Sequence, residues 1–225
     1  MPLSSETKSL LITVGARPSP LSVAQVEEVL CELQQFHPHI RFKNLLLETV
    51  GDRNQQTSLR NLDKTDFFTK DIDEALLSGR CRIAIHSAKD LPETLPPGIV
   101  IVAITKGLDS SDVLILQPGM TLENLPPGAI IGTSTERREK ALRKLRSDLT
   151  FVDLRGPVHK RIERVLSGEL DGIVGAEAAV LRLGRVELNR IRLDGNVAPL
   201  QGQLAVASRA GDEAMAELFA CIDAR

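Results

Sequence analysis

The segment from Ile83 to Pro92, IAIHSAKDLP, carries a lysine and an aspartate side by side, Lys89 and Asp90, just after a short apolar run. Ile83, Ala84 and Ile85 suit a buried strand, and Pro92 stops its continuation, so Ser87, Lys89 and Asp90 fall at the carboxyl edge of a sheet. Open α/β sheets bind ligands at that edge. A cation beside a carboxylate there can hold charge of either sign, although an isolated pair is equally a surface salt bridge at a strand end.

Arginines recur at comparable places. In GTSTERREKAL, Thr133 or Ser134 can cap a helix, which puts Arg137 and Arg138 in its first turn. The helix dipole disfavours cations there, so two of them imply an anion to bind. Arg155 ends a strand before Gly156 and the next helix, Arg161 lies one turn into that helix, and Arg17 and Ser19 occupy the matching turn near the start of the chain. Any single arginine is most simply part of a solvated face. Five at equivalent strand-to-helix turns converge on one cleft if two units face each other, and guanidinium groups take carboxylates in bidentate fashion. His86 alternates with Ser87 on its strand and reads as packed and hydrogen-bonded, outside the chemistry.

Positioning these residues takes alternating strands and helices. Strands are expected at Leu10 to Val14, Phe42 to Leu47, Ile99 to Ile104, Ala129 to Gly132, Thr150 to Leu154 and Gly172 to Val174. Helices are expected after the Gly15 to Pro20 turn, with Val23, Val26, Leu30 and Leu33 on one face, then around Phe67 to Leu76, Ser134 to Arg146, Pro157 to Leu166 and Asp212 to Ile222. Pro157 suits a first helical position. Gly51 to Asp66 is a polar stretch, Leu108 to Asp112 a connection and Pro118 to Pro127 a loop. Repeated βα alternation predicts an α/β fold with mostly parallel sheets.

Composition narrows the function. With 225 residues, 42% of them hydrophobic, the chain can bury one large or two small cores. A net charge of -2, six Phe and no Trp or Tyr argue against general nucleic-acid binding. No run approaches a membrane span and the first residues lack a secretory pattern, so a cytoplasmic protein is expected. Three widely spaced cysteines without a C-x-x-C pair suggest neither zinc nor redox chemistry, and no metal is expected.

Taken together, GARPSPLSVAQ, FFTKDIDEALLSG, IAIHSAKDLP, IGTSTERREKAL, LRGPVHKRI, LRLG and PLQGQLAV resemble, in order and spacing, the porphobilinogen deaminase (hydroxymethylbilane synthase) family over about residues 10–206. The resemblance implies two domains of the periplasmic-binding-protein type II class with mixed, mostly parallel sheets. It expects domain 1 at 1–104 and 202–225 and domain 2 at 105–201, with two inter-domain crossovers and Gln201 and Gly202 at the return. It also implies a monomeric transferase of porphyrin and heme biosynthesis that joins four porphobilinogen molecules, losing ammonia each time, into hydroxymethylbilane on a dipyrromethane cofactor. Loss of ammonia leaves a cationic azafulvene, which a buried carboxylate aimed at the pyrrole nitrogen would stabilise. Asp90 is expected in that role, and in handling the proton lost from the pyrrole carbon. The acetate and propionate groups of a growing chain need cations. Arg17, Lys89, Arg137, Arg138, Arg155, Arg161 and Arg182 are the matching candidates, with Ser19 and Ser87 as donors and Gln201 at the crossover. Lys70 matches a lysine of the family's mobile loop, and Phe68 its apolar lid.

The sequence also departs from that pattern. KGLDSSD has Gly107, with Lys106 nearby, where the family commonly has an arginine, and Pro157 replaces an asparagine. Family members continue into a third domain whose cysteine anchors the dipyrromethane, whereas this sequence ends at Arg225. The third domain is therefore expected to be absent, and Cys221 is expected to anchor the cofactor if anything does, with Cys31 and Cys81 packed away. Non-covalent retention by the arginines is the competing expectation. A non-catalytic two-lobed binder of a polycarboxylate, or an inactive shortened chain, stays open as the other reading, since fold alone does not establish reaction.

Overall fold

The computed structural model describes residues 9–54, 56–58 and 66–225. Expectations for the first residues, and for much of the polar stretch before Asp66, fall on residues 1–8, 55 and 59–65, outside the described residues. In chain order the elements are β1 (Leu10–Ala16), α1 (Pro20–Gln34), β2 (Ile40–Leu46), α2 (Val50–Arg53), α3 (Lys70–Leu77), β3 (Ile83–Ser87), β4 (Ile99–Ile104), β5 (Asp112–Leu116), β6 (Ile130–Thr133), α4 (Glu136–Leu145), β7 (Thr150–Asp153), α5 (Val158–Leu166), β8 (Gly172–Ala176), α6 (Glu177–Arg182), β9 (Arg190–Leu193), β10 (Leu204–Arg209) and α7 (Glu213–Phe219).

Two five-stranded sheets result, ordered β2-β1-β3-β10-β4 and β7-β6-β8-β5-β9. Each is mixed. In the first lobe β10 runs antiparallel to both neighbours, β3 and β4, and in the second β5 runs antiparallel to β8 and β9, while β1–β2, β1–β3, β6–β7 and β6–β8 pair in parallel. The reversed strand in each sheet is the one that follows a passage of the chain from the other lobe. A chain arriving across the cleft enters at the edge from which the βα units leave, so it runs against them.

The two passages, residues 105–111 and 194–203, lie against each other. Thr105 N–H donates to Leu204 O (2.9 Å), Leu204 N–H to Thr105 Oγ1 (3.0 Å) and Leu108 N–H to Gly202 O (3.3 Å). Gly107 and Gly202 have φ of +81° and +89°. A Cβ on Gly107 would sit 2.9 Å from the Gly202 carbonyl, and one on Gly202 would strike the Asp109 carbonyl. That close approach in a left-handed conformation is what a glycine permits, and it accounts for Gly107 standing where an arginine was expected.

Aliphatic side chains fill both sheets. Val26, Val29 and Leu33 of α1 pack with Ile12, Val14, Ile83 and Ile85 and with Met215 and Phe219 of α7, while Ile162 and Val165 of α5 pack with Ile115 and Ile173. Several expectations are corrected in detail. The buried stripe of α1 runs through Ser22, Gln25, Val26, Val29 and Leu33, so Val23 and Leu30 are only partly covered. Thr135 rather than Thr133 or Ser134 caps α4, accepting from Arg138 N–H (3.4 Å), and Pro157 is the residue before α5 rather than its first. Cys31 is exposed on α1 instead of packed, whereas Cys81 is buried as expected. β5, β9, β10 and α6 have no counterpart among the expected elements.

Candidate active site

A cleft of about 460 Å³ lies between the lobes, lined from both, within the range of small-molecule sites. Its walls are built from strand ends and the turns that follow them. On the first lobe β1 delivers Arg17, the turn into α1 delivers Ser19, and β3 delivers His86 and Ser87, with Lys89 and Asp90 in the 3-10 turn Ala88–Asp90. On the second lobe α4 delivers Arg137 and Arg138, the β7–α5 connection Arg155, α5 Arg161 and α6 Arg182. Phe68 also lines the cleft. Lys70, Gln201 and Cys221 do not. Lys70 is exposed at the start of α3, Gln201 is buried behind the wall, and Cys221 is exposed in the 3-10 turn Ala220–Ile222, its thiol donating to Leu218 O (3.4 Å).

Much of the cationic charge already has carboxylate partners. Arg17 pairs in bidentate fashion with Asp52 and lies 4.7 Å over the Phe68 ring. Arg137 and Arg138 share Asp112 at 2.6 and 2.7 Å, and Arg182 of the second lobe holds Glu28 of α1 through two bonds of 2.8 Å while donating to Gly202 O. Burial disfavours a charged Asp112, but Arg138, with Arg137 and the Gln201 amide, holds its carboxyl below the usual range. Asp52 is half-buried, and hydrogen bonds from Arg17 and Thr49 keep it low.

Lys89, Arg155 and Arg161 have no carboxylate within 4.0 Å among the described residues. Lys89 donates to Gln201 Oε1 (3.3 Å), and the Gln201 amide donates onward to Asp112 Oδ1 (2.9 Å) and Ser110 O (2.7 Å), tying the first lobe to the second behind the cleft. Burial, reinforced by Arg138, brings the Lys89 ammonium down to about 8. Arg161 donates to Gly156 O (2.8 Å) and Ser134 Oγ (2.9 Å), and burial together with Arg138 and Arg155 lowers it to about 10. Arg155 reaches across to Asn54 O (2.7 Å) and Gly51 O (3.3 Å), its buried Nε without a partner. Partly displaced from water and without a carboxylate in contact, these three favour an anion between the lobes.

Asp90 is exposed on the cleft wall, where the sequence suggested a buried carboxylate. It makes no salt bridge among the described residues. The cleft thus presents one free carboxylate among cations, a setting that stabilises a delocalised cation whose own side groups are anionic. Residues absent from the sequence reading complete the site: Gln25, whose amide donates to Ser87 Oγ (2.8 Å), and the internal counter-ions Asp52, Asp112 and Glu28. Asp112 carried a signal, an acid opening the apolar run DVLIL; Glu28 lies on a helix exterior and carried none.

Comparison with known proteins places this geometry. The profile of the family described as "Porphobilinogen deaminase, dipyromethane cofactor binding domain" matches residues 12–217. Porphobilinogen deaminase of Roseiflexus castenholzii is 40% identical over 215 residues, covering 94% of this chain and 71% of that protein. The enzyme of Streptococcus sanguinis is 38% identical, covering 94% and 72%. Among solved structures, the benzoate-bound effector-binding domain of BenM has a TM-score of 0.54 at 13% identity, covering 94% of this chain and 90% of its own. A probable amino-acid ABC transporter extracellular-binding protein of Bacillus subtilis has a TM-score of 0.53 at 13% identity, covering 95% and 90%. These two share the two-lobed fold alone.

Proposed function

Because this chain belongs to the porphobilinogen deaminase family, we propose that its inter-lobe cleft is the site where porphobilinogen units are joined. The activity is that of hydroxymethylbilane synthase, a transferase forming the linear tetrapyrrole of porphyrin and heme biosynthesis from four porphobilinogen molecules with loss of ammonia. The observation that carries the site assignment is Asp90, a carboxylate without a salt bridge among the described residues in a cleft that also holds Lys89, six arginines and the arginine-paired Asp52.

The chemistry asks for both charges. The carbon–nitrogen bond of the aminomethyl group breaks and ammonia leaves. The resulting azafulvene is cationic over the ring, and the Asp90 carboxylate lies where it can accept from the pyrrole N–H and offset that charge. The electron pair of a neighbouring pyrrole's free α-carbon then forms the carbon–carbon bond, and the proton displaced from that carbon passes to Asp90 or to water. Lys89, Arg155 and Arg161 take ligand carboxylates directly. Arg17, Arg137 and Arg138 take them by exchange with Asp52 and Asp112, with Ser19 and Ser87 donating. Arg182, already bonded to Glu28, and Gln201, bonded to Lys89 and Asp112, position the lobes instead of touching ligand.

The matched region is the family's dipyrromethane-binding domain. Unpaired Lys89, Arg155 and Arg161, with the partnerless Nε of Arg155, fit a group bearing several carboxylates. These residues would hold it, and when bound it supplies the primer to which new units are added. A thioether at Cys221 finds no support in its position away from the cleft. The lobes are proposed to be the domains 1–104 with 202–225 and 105–201, in a cytoplasmic monomer. Among the described residues no helix is long and apolar enough to cross a membrane.

The test is direct. Purified protein, given hydroxymethylbilane to assemble its cofactor and then porphobilinogen, should release ammonia and form a product that cyclises and oxidises to uroporphyrin. Release of neither, from folded and monodisperse protein, refutes the reading.

A further inference from the structure

His86 holds a place in the cleft that packing does not explain. It is only 7% exposed and lines the cleft, and its Nε2 is buried without a hydrogen-bond partner among the described residues. Leaving a buried polar atom unpaired costs the desolvation of that group with nothing gained in return, so such an atom on a cleft wall points to a ligand.

Its neighbours define which ligand. His86 faces Ala205 across the β3–β10 pair, and Val14↔Ile83 and Gly15↔Ala84 in the β1–β3 pair carry on, two residues further, to Arg17 beside His86. Burial, and secondarily the Arg17 charge, press the imidazole down to about 4, which leaves it neutral with one ring N–H. A guanidinium and an imidazole N–H side by side on one wall suit an acceptor with two oxygens.

We infer that His86 is a carboxylate-binding residue: Nε2–H donates to one oxygen of a ligand carboxylate whose other oxygen is held by Arg17, Asp52 being displaced from that guanidinium. This rests on the porphobilinogen reading above and adds His86 to it. Ser87 next to it faces Gln25 on the other side of the strand, so the two neighbours serve different parts of the ligand.

The test uses the full chain labelled with ¹⁵N-histidine and titrated with porphobilinogen. None of the other histidines, His37, His39 and His159, lines the cleft. The His86 Nε2–H resonance should move downfield on saturation while the others stay. His86→Leu should raise the KM for porphobilinogen about 10-fold with kcat within a few-fold, and His86→Gln, whose amide nitrogen can stand near Nε2, should recover most of that loss. Should His86→Leu fail to fold, the ¹⁵N titration of the wild-type chain remains the deciding readout. Binding with an unmoved His86 resonance, or a KM unchanged in the folded variants, overturns the inference alone. Wild-type protein that binds no porphobilinogen overturns the functional reading and this inference with it.

Discussion

The two walls of the cleft handle charge in opposite ways. The second lobe keeps its groups ionised, with Arg137 and Arg138 locked on Asp112 and Arg161 charged though partly buried. The first lobe pairs Arg17 with Asp52 but otherwise keeps its groups neutral or poised. Burial holds His86 at about 4 and pushes Asp73, behind the wall on α3, up to about 6, while Lys89 sits at about 8. Only a fixed cationic wall can grip successive carboxylates alike, and only a wall of adjustable groups can answer a charge that appears and vanishes during reaction. One division of labour follows: both walls bind carboxylates, and the chemistry sits on the first.

The sharpest way to break that division is Asp90→Asn, nearly isosteric on the exposed wall. Turnover should fall ~10³-fold, the scale seen when one charge-stabilising group is removed, while the bound cofactor, read by intact mass, is retained. Equal hydroxymethylbilane formation would move the chemistry elsewhere. On the opposite wall, Asp112→Asn leaves Arg138 buried without its carboxylate and should destabilise the second lobe by about 3 kcal/mol, read as a lower urea midpoint.

Arg155→Ala and Arg161→Ala should each weaken retention of enzyme-bound intermediates, followed by mass spectrometry, by about 10–100-fold, the worth of a charge-assisted bond. Lysine at either position should rescue only in part. Arg182→Ala should instead lower thermal stability, and intact retention in all three variants would dissolve the contrast between gripping and positioning arginines.

The smallest effect tests the neutral side. The folded pKa of Asp73 is raised above its ordinary 3.8 to about 6, mainly by burial and then by Asp66. The native state therefore holds the proton more tightly, and stability is lost as pH rises from about 4 to about 6. Asp73→Asn should raise the unfolding free energy at pH 7.5 by about 2 kcal/mol, fading toward pH 4. A gain independent of pH would show that packing, not ionisation, is being measured.

The residues that follow strands are legible in the sequence, because apolar runs ending in polar residues and glycine turns are local signals. Arg17, Ser87, Lys89, Arg138 and Arg155 were legible for that reason. The strands β5 and β10 were not, since their roles are set by pairing with β8, β9, β3 and β4 far away in sequence. Partnerships such as Arg182 with Glu28 or Arg17 with Asp52 follow from lobe apposition, which has no local pattern. Gly107 looked like a defect until its φ and its contact with Gly202 were seen.

The place of β10 has a consequence for how the chain is made. β5 to β9 are contiguous between residues 112 and 193, so every strand of the second sheet is available before residue 204 is synthesised. The first sheet has to wait. β10 separates β3 from β4, and Leu204, Val206, Met215, Phe219 and Ile222 fill the core beside it. Until that strand arrives, β3 and β4 are open edges with nothing between them. On the ribosome the half begun first is therefore the half finished last, and its exposed edges are the part of the nascent chain that most needs a chaperone.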